Sequence, residues 1–151
     1  MTNGYTVSKG ADGALIVVLH PKCKISRDEI LALLRGLGFD TSKVAFIEPD
    51  QAEQCEGLEG TPVIIPIDET TCRLPELDQA GRHCGQAGGR VIVLFGPDYS
   101  HEGLHSIADK YGTQCGWSAD QLSVRISGQT DQPCTPTGTS KKRTNAKQVN
   151  C

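Results

Sequence analysis

The stretch Ala14–Leu19 (ALIVVL) is the first of several short apolar runs that decide the fold. Three more runs follow it: Val44–Ile47 (VAFI), Pro62–Ile67 (PVIIPI) and Arg90–Phe95 (RVIVLF). The runs are rich in β-branched residues and lack the alternation of polar and apolar residues that is typical of a half-exposed strand. Each is therefore predicted to be a strand buried on both faces. Helix-like stretches separate the runs, and strands that alternate with helices form a parallel α/β sheet.

Helix signals lie between the predicted strands. Ser26 and Glu29 have the spacing of a capping box, in which the two residues satisfy each other's backbone donors at a helix start. Pro75 suits the first turn of a second helix. We also predict a helix over residues 100–111, a short fifth strand at Thr113–Trp117 and a helix from Ser118 to Gly128. These elements predict one doubly wound α/β domain over residues 1–128, with about five parallel strands in a flavodoxin-like arrangement.

The charge is unevenly distributed along the 151 residues. The formal net charge is −3, yet residues 129–151 hold four basic residues and one acidic residue, so residues 1–128 carry −6. An acidic body is a poor general nucleic-acid binder. Residues 129–151 have no apolar period, which predicts a disordered basic C-terminal tail. We expect a protein partner, if there is one, to contact this tail or the helices.

Targeting signals and cysteines set further expectations. The sequence shows neither a basic leader with an apolar segment nor a run long enough to span a membrane, so we expect a soluble cytoplasmic protein. The seven cysteines are odd in number and include no C-x-x-C pair. This usage favours reduced thiols over a disulfide framework or a zinc ribbon.

Polar residues follow three of the predicted strands. His20 and Lys22 follow the first strand, Asp68 follows the third, and Asp98 and Tyr99 follow the fourth. The carboxyl ends of parallel strands meet at one edge of a sheet, and ligands bind in the crevice there. We therefore predict that these five residues form a ligand-binding rim, although solvated side chains would show the same pattern.

One motif matches a metalloprotease signature: His101-Glu102-Gly103-Leu104-His105 reads H-E-x-x-H. On a helix the two histidines share a face and can bind zinc, while the glutamate polarises a water molecule. Gly96 and Pro97 lie shortly upstream and place the motif at the start of a helix rather than within one. The alternative is two partly exposed histidines without a metal.

A further pattern lies in the segments Glu76–Ala80 (ELDQA) and Gly89–Val93 (GRVIV). Together with the strand order these segments resemble TIR domains and nucleoside 2-deoxyribosyltransferase-like domains. The resemblance implies that Glu76 is catalytic, that the ligand is NAD or another nucleotide, and that the reaction breaks an N-glycosidic bond. The sequence has no G-x-G-x-x-G or P-loop motif. Without catalysis, Glu76 would be a carboxylate that stabilises a helix N-terminus.

Three functional hypotheses follow from these patterns. The first is a domain that recognises a nucleotide or cleaves its N-glycosidic bond, by analogy in bacterial signalling or antiviral defence. The second is a non-catalytic protein-interaction module. The third is a zinc-dependent hydrolase that uses His101, Glu102 and His105.

Overall fold

The computed structural model describes residues 14–97, 99 and 103–128. Its strands are β1 (Leu15–Val18), β2 (Val44–Ile47), β3 (Pro62–Ile67), β4 (Arg90–Phe95) and β5 (Gly112–Cys115). Its α-helices are α1 (Arg27–Gly36), α2 (Pro75–Gln86), α3 (Ser106–Tyr111) and α4 (Ala119–Ile126), and short 3₁₀ helices cover Thr41–Lys43 and Pro49–Gln54. The predicted C-terminal tail lies outside the described residues.

The five strands form one sheet with the order β2-β1-β3-β4-β5. Every pairing is parallel, with Val63 opposite both Ile16 and Val91. This is the flavodoxin-like strand order, in which the chain reverses its direction of winding between β1 and β3. The predicted α/β class and the number of parallel strands are confirmed.

Two apolar layers cover the sheet. Alternate residues of a strand point to opposite faces. Ile16 and Val18 accordingly lie in a cluster with Leu77 of α2 and Ile107 of α3. Leu15 and Val17 lie in the other cluster, together with the helical residues Ile30, Leu34 and Leu122. All residues of β1 and β3 are buried, as expected for strands covered on both faces.

Local capping explains where the helices begin. The Ser26 side chain accepts a hydrogen bond from the Glu29 backbone, and Glu29 accepts from the Ser26 backbone, so the predicted capping box is present. Ser118 likewise accepts from the Gln121 backbone. The Gln121 side chain, however, accepts from the Gly116 N–H group rather than from that of the N-cap residue Ser118.

The predicted helix over residues 100–111 is too long. The structure begins α3 at Ser106, because Gly103 has a φ of 120° and His105 is an extended N-cap residue. The strand after it ends at Cys115 rather than at Trp117. Among the described residues, every helix is too short or too polar to cross a lipid bilayer.

Candidate functional site

The candidate site lies where the winding reverses, at the carboxyl ends of β1 and β3. The chain leaves β1 through residues 19–26, which lead to α1 on one face. It leaves β3 through residues 68–74, which lead to α2 on the other face. Loops that diverge in this way open a crevice between them, the usual ligand position in an open α/β sheet.

His20 and Glu76 meet across this crevice. His20 Nε2 lies 3.4 Å from Glu76 Oε2, although the residues are 56 positions apart. The His20 side chain is 8% exposed, whereas that of Glu76 is 54% exposed. The Lys22 N–H group donates to His20 Nδ1 over 3.0 Å, so Nδ1 carries no proton in this arrangement. His20 Nε2 therefore donates to the Glu76 carboxylate.

The electrostatic surroundings keep Glu76 ionised. Glu76 is the second residue of α2, after Pro75. A hydrogen bond from its own backbone N–H group, followed by the bond from His20 and the charge of Lys22, lowers the pKa of Glu76. Helix N-termini favour negative charge for the same reason. The group is thus an exposed carboxylate with a fixed donor beside it, which suits a nucleophile rather than a proton donor.

Asp68 has a different environment. It accepts hydrogen bonds from the Lys24 N–H group at 2.7 Å, and from the Thr71 N–H and hydroxyl groups at 3.0 Å each. Partial burial opposes these bonds, but the donors of Lys24, Thr71 and Thr70 together lower the pKa of Asp68. These bonds fix the orientation of the Asp68 carboxylate, and its role as a ligand contact stays a prediction.

Tyr99, one of the predicted rim residues, is almost fully buried. Its ring stacks on Phe95 with 4.5 Å between the centroids, and only 6% of the residue is exposed. Its hydroxyl lies 2.9 Å from Cys72 Sγ. Cys72 is disulfide-bonded, so the expectation that every cysteine is reduced is wrong, and the Tyr99 hydroxyl is the donor. Burial raises the pKa of Tyr99.

A cavity of about 310 Å³ opens beside these loops. Lys24 and Glu29 line it on the side of α1, Asp68 and Glu69 line it after β3, and Tyr99 lines it after β4. Among the described residues that line it, neither His20, Lys22 nor Glu76 is found. The structure therefore separates the predicted rim into two parts, a His20–Glu76 pair and an acidic cavity that contains Asp68 and Tyr99. Asp98 lies outside the described residues.

The described part of the H-E-x-x-H motif is not helical. His105 precedes α3 and caps it, since His105 Nδ1 accepts from the Ile107 N–H group at 3.1 Å. His105 Nε2 donates to the Cys72 carbonyl at 2.8 Å, so both ring nitrogens have protein partners. Burial lowers the pKa of this imidazole. His101 and Glu102 lie outside the described residues. Within the described ranges, no group of three or more His, Cys, Asp or Glu residues could hold a metal ion.

Two residues with clear structural roles were missed by the sequence reasoning. Thr71 is fully buried and bonds Asp68 three residues earlier, a spacing that an Asp-x-x-Thr turn could have suggested. Gln114 is a buried strand residue whose amide accepts from the His105 N–H group and donates to the Gly103 carbonyl. No local pattern in the sequence indicates the second pairing.

Comparison with protein-family models, with curated proteins and with solved structures found no match to this chain. The resemblance to TIR and deoxyribosyltransferase-like domains thus stays a prediction that is based on the two quoted segments.

Proposed function

We propose that this chain handles a nucleotide and cleaves the N-glycosidic bond of NAD or a nucleoside. Glu76 acts as the catalytic carboxylate and His20 as its hydrogen-bond donor. The observation that carries the proposal is the His20–Glu76 pair, in which an exposed carboxylate with a lowered pKa is hydrogen-bonded to a buried imidazole. The setting in bacterial signalling or antiviral defence follows by analogy with the families that the sequence resembles.

The chemistry required of Glu76 is nucleophilic. Its carboxylate attacks C1′ of the ribose, or stabilises positive charge there, while the bond from C1′ to the base nitrogen breaks and its electron pair leaves with the base. Water then releases the ribosyl group. A cationic leaving base such as the nicotinamide of NAD departs neutral and needs no proton, which fits a Glu76 whose pKa is lowered. A neutral purine would need a separate acid.

Substitution of Glu76 tests this proposal directly. In Glu76→Gln the shape is kept but the charge is lost, so we expect turnover of NAD or nucleosides to fall about 100-fold or more. Chromatography of the released base measures the rate. Asp28→Asn is the matched control, because Asp28 is also exposed and also the second residue of its helix. Equal turnover in wild type and Glu76→Gln would remove Glu76 as the catalyst.

The interaction-module hypothesis rests on a separate observation. β2 is an edge strand, and Val44, Ala45 and Phe46 are only partly buried. The Arg27 guanidinium covers one side of Phe46, 5.0 Å from the ring centroid. An edge strand can pair with a strand of a partner. Light scattering of the chain, alone and mixed with proteins encoded by neighbouring genes, tests this alternative, and it is abandoned if no complex forms.

A further inference from the structure

We infer that Asp68 is a positioning residue, which clamps the loop after β1 to the loop after β3 and thereby holds His20 against Glu76. The contacts that form this clamp do not depend on catalysis. Its consequence for turnover rests on the function proposed above.

The first loop is fastened to Asp68 through the backbone of Lys24, and the Cys23 side chain also forms a hydrogen bond with Asp68. The Lys24 N–H group donates to Asp68 Oδ2 over 2.7 Å. Between His20 and Lys24 the chain folds on itself, since the Cys23 N–H group donates to the His20 carbonyl and the Lys22 N–H group donates to His20 Nδ1. A compact turn moves as one body, so the bond at Lys24 also sets the place of the His20 ring.

The second loop is organised by the other carboxylate oxygen. Asp68 Oδ1 accepts from the N–H and hydroxyl groups of the fully buried Thr71, and the Asp68 N–H group donates back to that hydroxyl at 3.2 Å. The Leu74 N–H group then donates to the Thr71 carbonyl. Leu74 is the N-cap residue of α2, so this chain of bonds leads to Glu76 two residues later.

The His20–Glu76 and Lys24–Asp68 hydrogen bonds both join the two loops, and they differ in length and in how firmly the acceptor is held. The His20–Glu76 bond is long, at 3.4 Å, and half of the Glu76 side chain is exposed. The bond from Lys24 to Asp68 is shorter by 0.7 Å and ends on a carboxylate that three further donor groups fix. Asp68 therefore maintains the loop geometry that the His20–Glu76 pair needs but cannot impose on its own.

The experiment compares Asp68→Ala, Asp68→Asn and Thr71→Val with the control Asp50→Asn, in which an exposed aspartate outside both loops is changed. Nitrogen-15 NMR reports the tautomer of the His20 ring, and carbon-13 NMR reports the titration of Glu76. In Asp68→Ala we expect a mixture of His20 tautomers and a Glu76 pKa closer to its ordinary value. We expect a smaller effect in the same direction in Thr71→Val.

The rate of turnover of the same variants provides a second test. A displacement of about 1 Å at a catalytic group can reduce a rate about 100-fold. We expect Asp68→Ala to lose between 10- and 100-fold in kcat, with Asp68→Asn between it and the wild type. A folded Asp68→Ala protein with unchanged His20 and Glu76 spectra would overturn the inference. If Asp68→Ala does not fold, the spectra of Asp68→Asn and Thr71→Val decide. Wild-type protein without turnover would overturn the proposed function, while the NMR comparison still tests the clamp.

Discussion

The imidazoles of His20 and His105 show how the backbone can fix the chemistry of a side chain. In each ring, Nδ1 accepts from the backbone N–H group two residues later, so the proton is confined to Nε2. The two differ in what Nε2 meets. For His20 it is the carboxylate of Glu76, and for His105 it is the carbonyl of Cys72. One ring therefore supports a charged group near solvent, and the other joins two buried segments.

His105 gives a prediction about pH. Because burial lowers its pKa below the unfolded value, the unfolded chain binds the proton more readily. Its contribution to stability is present above about pH 6.5 and is lost as the pH falls from there through the lowered pKa. His105→Asn keeps a capping side chain but loses the bond to Cys72, which should cost about 1–2 kcal/mol at pH 7.5.

Urea unfolding between pH 7.5 and 5.5 measures this effect. The stability of the wild type should fall across the range, and that of His105→Asn should fall less. His83→Asn controls for the loss of one imidazole elsewhere in the protein. If that variant flattens the curve as much as His105→Asn does, then His105 is not the source of the pH dependence.

At the scale of elements, the contact between α2 and α3 depends on a small residue. A Cβ atom at Gly81 would lie 2.8 Å from Ile107 Cγ2 and 3.3 Å from the Tyr111 ring, whereas one at Gly85 would meet Tyr111 Cβ at an ordinary 3.6 Å. Both glycines lie within α2. Alanine substitutions at these two positions therefore form a matched pair, because both raise helix propensity but only the one at Gly81 creates a steric clash.

We expect opposite results from the two alanine substitutions. Gly81→Ala should destabilise the protein by about 1–3 kcal/mol, reduced by the gain in helix propensity, since buried Ile107 must shift. Gly85→Ala should stabilise it by up to about 1 kcal/mol. Chemical unfolding measures both. A stabilising Gly81→Ala would show that α3 can move away from α2 at little cost.

At the scale of the whole molecule, the sequence predicts those helices and strands that depend on residues close together in the chain. The strands were predictable because buried parallel strands are continuous apolar runs, and α1 was predictable from its capping box. The start of α3 was not, because it depends on Gln114, which lies in β5 and bonds Gly103 and His105. Topology placed His20 and Asp68 on one rim. It could not show that the rim divides into a His20–Glu76 pair and a separate cavity.

The edge of the sheet provides a final prediction about the whole molecule. A Cβ atom at Gly112 would lie 1.8 Å from the Val91 carbonyl oxygen. No side-chain motion relieves a clash with a backbone atom that is part of the β4–β5 ladder. Gly112→Ala should therefore displace β5 and, with it, the docking of α4 against the sheet.

We expect Gly112→Ala to cost about 3 kcal/mol or more. Hydrogen exchange should show lost protection in β5 and α4 before β1 and β3 are affected, because the central strands keep both neighbours. Gly36→Ala is the control, since a Cβ atom there meets nothing within 4 Å. Uniform loss of protection across all strands would mean that the sheet unfolds as one unit and that its edge has no separate stability.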